Sequence, residues 1–168
     1  MRMHTQVDAN LTRDHLARLL AEENSALTEF QVLLDREHEA LSTRDIDALE
    51  ALADARQSSI TQLLRLEDER RSVCSMLGYD TDLSGLARLI AWCDPQRTLT
   101  AAYEECSTRA RQCRDLNDRN GLLVGAQIKR VEGLLGAITG TNTAPRAYGP
   151  RRAGAYAPGA GQVLSAEA

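Results

Sequence analysis

Four cysteines, Cys74, Cys93, Cys106 and Cys113, and three histidines, His4, His15 and His38, are the side chains of this 168-residue chain best suited to metal or redox chemistry. Their spacing gives them little to do together. No two cysteines form a C-x-x-C pair, and Cys106 and Cys113, seven apart on one helix, have Cα atoms roughly 10 Å distant, too far for a disulfide. They read as free, buried, small apolar residues. Asp35-x-x-His38 has the carboxylate-x-x-His spacing of a di-metal helical bundle, but such a bundle needs that unit twice, and the second is missing. Neither G-x-S-x-G, a P-loop nor G-x-G-x-x-G occurs, so nucleophilic and nucleotide chemistry lack a foothold. The expectation is a protein without catalysis, metal or cofactor.

Gly121-x-x-x-Gly125 would pair membrane helices inside an apolar 20-mer, but Asp118, Arg119, Lys129, Arg130 and Glu132 surround it. No segment reaches about 18 uninterrupted apolar residues, and the first residues lack an apolar stretch of signal-peptide length. A cytoplasmic protein without stable membrane insertion is expected. The net charge is −4, with nineteen Arg and the single Lys129 interleaved with acidic residues. No arginine stripe with stacking aromatics stands out, so nucleic acid is not an expected partner.

The elements that must position any functional surface are helical. Aromatic residues make up only 4% of the chain, which suits narrow helix–helix interfaces, and no alternating run suggests a strand. Leu16, Leu20, Leu27, Phe30, Leu34 and Leu41 repeat at heptad spacing, with Glu23 and Glu37 on the same seam, and predict a helix over about 12–42. Asp45 is a candidate N-cap for a second helix whose seam is Ile46, Leu49, Ala53, Ile60, Leu63, Cys74 and Leu77. The short connection makes the two antiparallel. Gly78 ends the second helix, a brief helix covers about 83–93, and Asp94-Pro95 predicts the start of a third long helix running from Pro95 to about Thr139. The fold class is all-α: an antiparallel long-helix hairpin within a three-helix, coiled-coil-like bundle, with a short extra helix. Residues 1–140 form the helical domain. Residues 141–168, rich in Ala, Gly and Pro, read as a disordered tail.

The end of the third long helix, NGLLVGAQIKRVEGLLGAITG, is written weakly, since each internal Gly costs roughly 0.5–1 kcal/mol relative to Ala. Its apolar residues nevertheless cover a wide arc, more than one antiparallel neighbour can bury. Glycines beside that arc let another backbone come close, which suits helix-in-groove recognition of a partner. The alternative is that the extra width packs against the short helix.

LLAEENSALTEFQVLLDREHEAL, STRDIDALEALADARQSSITQL, the turn MLGYDT, and DRNGLLVGAQIKRVEGLLGAITG followed by YGPR together resemble the FlgN family of flagellar export chaperones. The similarity spans about Leu11 to Arg151, and Asn120-Gly121-x-Leu123 and Tyr148-Gly149 carry it most specifically. The resemblance implies a cytoplasmic type III export chaperone that binds hook-associated (hook–filament junction) proteins, prevents their premature assembly and delivers them to the flagellar export gate. It also implies a partner-binding surface in the C-terminal part: Asn120, Gly121, Leu123, Val124, Gly125, Ile128, Val131, Leu134, Leu135, Ile138 and Tyr148. A monomer or weak dimer is expected when free. A homodimeric coiled-coil adaptor using the same heptads is the alternative, and an RNA-binding regulator a third reading.

Overall fold

The structure is a computed structural model that describes residues 2–139. It contains four helices: α1 (Arg2–Thr43), α2 (Ile46–Met76), α3 (Leu83–Cys93) and α4 (Thr100–Thr139). Two expected boundaries move. The first helix begins at Arg2, well before Thr12. The last begins at Thr100 rather than Pro95. Asp94 does act as a cap there, but of a turn: its Oδ1 accepts from the Thr98 hydroxyl and its Oδ2 from the Leu99 N–H, each at 2.7 Å. Burial alone would raise the Asp94 pKa, yet these hydrogen bonds hold it below the usual carboxylate value. Arg97 then takes a left-handed φ of 59°, and that residue stops a helix from starting at the proline.

Local signals set the remaining ends. Asp45 caps α2 by accepting from the Ala48 N–H at 3.0 Å. Just before it, Arg44 stands at φ 58° and the Asp45 N–H reaches back to the Ala40 carbonyl at 2.9 Å, which closes α1 in a Schellman-type turn without glycine. The same turn closes α2, where Gly78 at φ 76° follows the last residues and Tyr79 N–H donates to the Cys74 carbonyl. Gly85 is needed for a different reason. A Cβ there would run into the Asp80 backbone where the chain folds onto α3.

α1 is the centre of the molecule. α2 returns antiparallel along one side, α3 packs on α1 and α2, and α4 packs on α1. Among the described residues α2 and α4 make no backbone-level packing with each other. The direction of α4 is read from four hydrogen bonds. Cys106 Sγ donates to the Leu20 carbonyl, Cys113 Sγ to Leu27, Asn120 Nδ2 to Leu34 and Gln127 Nε2 to Leu41. Each pair lies 86 positions apart, so α4 runs parallel to α1 in matched heptads. This corrects the expectation of an antiparallel neighbour for the last helix. The small or polar seam residues of α4 fit against the α1 backbone, which α2 does not offer them.

The core follows from this arrangement. Leu16, Leu20, Leu27, Phe30 and Leu34 of α1, Leu63 and Leu66 of α2 and Leu86 and Leu89 of α3 are all buried. The expected α2 seam is buried only between Ser59 and Cys74, since Ile46, Ala53 and Leu77 are exposed. All four cysteines are buried free thiols, and burial pushes Cys106 up to about 12 and Cys113 to about 11. At such values the thiolate is scarce and the thiols are inert. Both serve as donors in the α1–α4 seam.

Glu23, one of the two acidic seam residues, is buried on α1, and its Oε1 finds no hydrogen-bond partner among the described residues. Desolvation raises its pKa to about 7, opposed by the positive charge of Arg70 and reinforced by Glu67. The unfolded chain ionises near 4.5 while the folded one stays protonated until about 7, so this group favours folding below 4.5 and opposes it increasingly as pH rises to 7. Glu23→Gln is expected to raise stability at pH 8 by up to about 3 kcal/mol and to change it little at pH 4. Denaturant midpoints of both proteins across that range check this; a pH-independent difference would show that Glu23 does not titrate as stated.

Candidate partner-binding surface

Near the α1–α2 turn the bundle is crossed by a polar layer. Arg56 of α2 donates to Glu37 Oε2 on α1 at 3.1 Å and to Asn117 Oδ1 on α4 at 2.7 Å, and its guanidinium lies 5.7 Å from the Phe30 ring centre. Asn120 is fully buried and saturated: Nδ2 donates to the Leu34 carbonyl and to Glu37 Oε2, both at 2.9 Å, while Oδ1 faces His38 Nδ1 at 3.1 Å. With Nδ2 spent on two acceptors, Oδ1 accepts and His38 Nδ1 carries the proton. At the surface Arg119 of α4 bridges to Asp35 of α1 at 3.3 Å. The carboxylate and histidine of Asp35-x-x-His38 are thus spent on α4, and among the described residues no three metal-ligating side chains converge.

Above this layer α1 ends at Thr43, two residues after the last rung of the ladder, while α4 continues to Thr139. In this register Thr43 lies level with Lys129, so residues 130–139 extend beyond α1 by about 15 Å, at 1.5 Å per residue. The seam continues, and among the described residues no helix lies opposite it. Ile128, Val131, Leu134, Leu135 and Ile138 are exposed, Ile138 at 80%. α3 packs on α1 and α2 and makes no backbone-level packing with α4 among the described residues. Among the described residues no helix packs over this end of α4.

The residues expected to bind a partner thus divide. Ile128, Val131, Leu134, Leu135 and Ile138 form one exposed apolar stripe, and Leu123, Val124, Gly121 and Gly125 are half-buried at its base. Asn120 lies inside the α1–α4 seam, so the surface is drawn without it. Tyr148, the tail assigned to 141–168 and the domain boundary at Gly140 lie outside the described residues. The short helix does not cover the stripe, because α3 packs on α1 and α2.

Sequence reasoning missed the Arg56–Glu37–Asn117–Asn120 layer. Its signal was present in Glu37, Asn117 and Asn120, polar residues on otherwise apolar seams. Leu122, 77% exposed, was also outside the expected set.

A Cβ placed on Gly121 or Gly125 would meet nothing within 4 Å. Packing in this fold therefore does not require either glycine. Gly121→Ala with Gly125→Ala is expected to stabilise the chain by roughly 1–2 kcal/mol through helix propensity. Thermal unfolding measures it, and a loss of stability would mean that a close contact at these positions has been overlooked.

The comparisons with known proteins agree with this architecture. The model of the FlgN protein family matches residues 3–154. No curated protein matches the chain. Among solved structures, a flagella synthesis protein FlgN from Pseudomonas aeruginosa is similar, with a TM-score of 0.59 and 29% identity over 66% of this chain and 86% of that one. No helix of the described residues is long and apolar enough to cross a membrane. With a family match that covers most of the chain, from the second residue of α1 through the whole of α4, the chain belongs to the FlgN family.

Proposed function

We propose that this protein is a cytoplasmic export chaperone of the flagellum, which binds hook-associated proteins, holds them back from premature assembly and hands them to the export gate. The observation that carries the reading is the apolar stripe on α4 beyond the end of α1, five large aliphatic side chains presented to solvent on a helix that the rest of the bundle holds in place. Exposed stripes of this kind mark interaction sites. Family membership supplies the class of client. A client segment that is unfolded before assembly gains its order on the stripe, so binding and folding are coupled.

Co-expression with hook-associated proteins tests the assignment. The full-length chain is expected to co-purify with them as a soluble heterocomplex. A chain that co-purifies only with itself would instead favour the coiled-coil adaptor.

A further inference from the structure

The α4 seam changes character where α1 ends. Along α1 its inner positions are Cys106, Cys113, Asn120 and Gln127, small or polar residues that reach the α1 carbonyls directly. The next position in the series is Leu134, flanked by Val131, Ile138, Ile128 and Leu135. Branched aliphatics cannot donate to a backbone. They pack as knobs between the side chains of a facing helix.

We propose that this overhang receives an aliphatic, acidic-flanked helix lying parallel to α4, on the track that α1 leaves at Thr43. The inference rests on the partner-binding reading above and adds direction, register and charge.

Continuity of the seam supports it first. The same face of α4 already holds a parallel helix for three heptads, and its apolar positions continue in phase through Ile138. The occupant begins above the α1–α2 turn, where the exposed Arg44 and Asp47 and the opposed ends of α1 and α2 leave the charge balanced. Continuity of the seam sets the direction, and a parallel occupant meets α1 head to tail. Arg130 stands at the flank of the stripe, one residue before Val131, where a parallel partner places its own flanking position. An acidic residue there is complementary, as Asp35 is to Arg119 lower on the same helix. A second copy of this chain in the same arrangement would set Leu135 against Arg130 and offer it no carboxylate, and is the poorer occupant.

Two designed two-heptad peptides, each about 21 Å long as a helix, test the inference. Both carry Leu at the two seam positions of every heptad; one has Glu and the other Lys at the flank that faces Arg130. Each is made with a photo-crosslinker at its N- or C-terminus and titrated against the full chain. The Glu peptide is expected to bind roughly three- to tenfold tighter, and Arg130→Glu to reverse the order. The N-terminal crosslinker should label α4 near Ile128 and the C-terminal one near Ile138. Equal affinity of the two peptides, or labelling in the opposite order, overturns the proposal. Competition by a C-terminal segment of a hook-associated protein separates this result from the functional reading. If the peptides bind as stated but the segment does not compete, the client assignment falls and the docking geometry stands. If the segment binds but crosslinks in the opposite order, the geometry falls and the client assignment stands.

Discussion

Leu27→Ala and Leu63→Ala are each expected to destabilise the protein by roughly 2–5 kcal/mol, the cost of removing a buried leucine and leaving part of its volume empty. Both side chains are almost completely buried, at 2% and 1% exposure, in the core that α1 shares with its neighbours. Leu27 has little room for relaxation, because its own carbonyl accepts from Cys113 and ties the α1 backbone to α4. Leu134→Ala is the control. Its side chain is exposed beyond the bundle, and its replacement should change stability by no more than about 0.5 kcal/mol. Denaturant unfolding of the three variants measures this. Equal losses at Leu27 and Leu134 would contradict the division of the molecule into a packed bundle and a projecting helix end.

The second large effect is on binding. A chain ending at Gln127 keeps all four rungs of the α1–α4 ladder and the whole polar layer around Asn120. It should melt within a few degrees of the full chain, since the removed part of α4 contributes no side chain to the core. Its affinity for a client segment should fall on the order of 100-fold, the equivalent of two or three aliphatic side chains no longer buried on binding. A truncated chain that unfolds would show instead that residues beyond 127 support the bundle.

Much of the fold could be read in the sequence because its signals are local. Asp45 as a cap, Gly78 past the end of α2 and the bounds of α3 at Leu83 and Cys93 all depend on neighbouring residues, and each is found where its residue type places it. What failed was not local. The left-handed Arg97 that delays α4 to Thr100 has no mark in its residue type. Heptads identify the apolar face of a helix but do not say which helix it meets, so the parallel packing of α4 on α1, with only the Arg56–Asn117 hydrogen bond reaching α4 from α2 in the polar layer, was not legible. Asn120 read as a contact for a partner because the resemblance to the family rests on Asn120-Gly121-x-Leu123, although its buried amide is satisfied by Leu34, Glu37 and His38. The exposed stripe was legible because its width exceeds what one neighbour covers. Its position beyond the end of α1 depends on the register between helices far apart in sequence.

The central claim is that the α4 overhang is the binding surface, and a calorimetric titration of a C-terminal hook-associated segment into the Val131→Asp, Leu134→Asp, Ile138→Asp variant tests it most directly. The three positions are exposed, so the variant should fold and melt as the full-length chain does, leaving binding as the property that changes. The wild-type chain is expected to bind the segment, and the variant, with carboxylates in the stripe, to produce no measurable heat at the same concentrations. A variant that binds the segment as tightly as the wild type would contradict the claim.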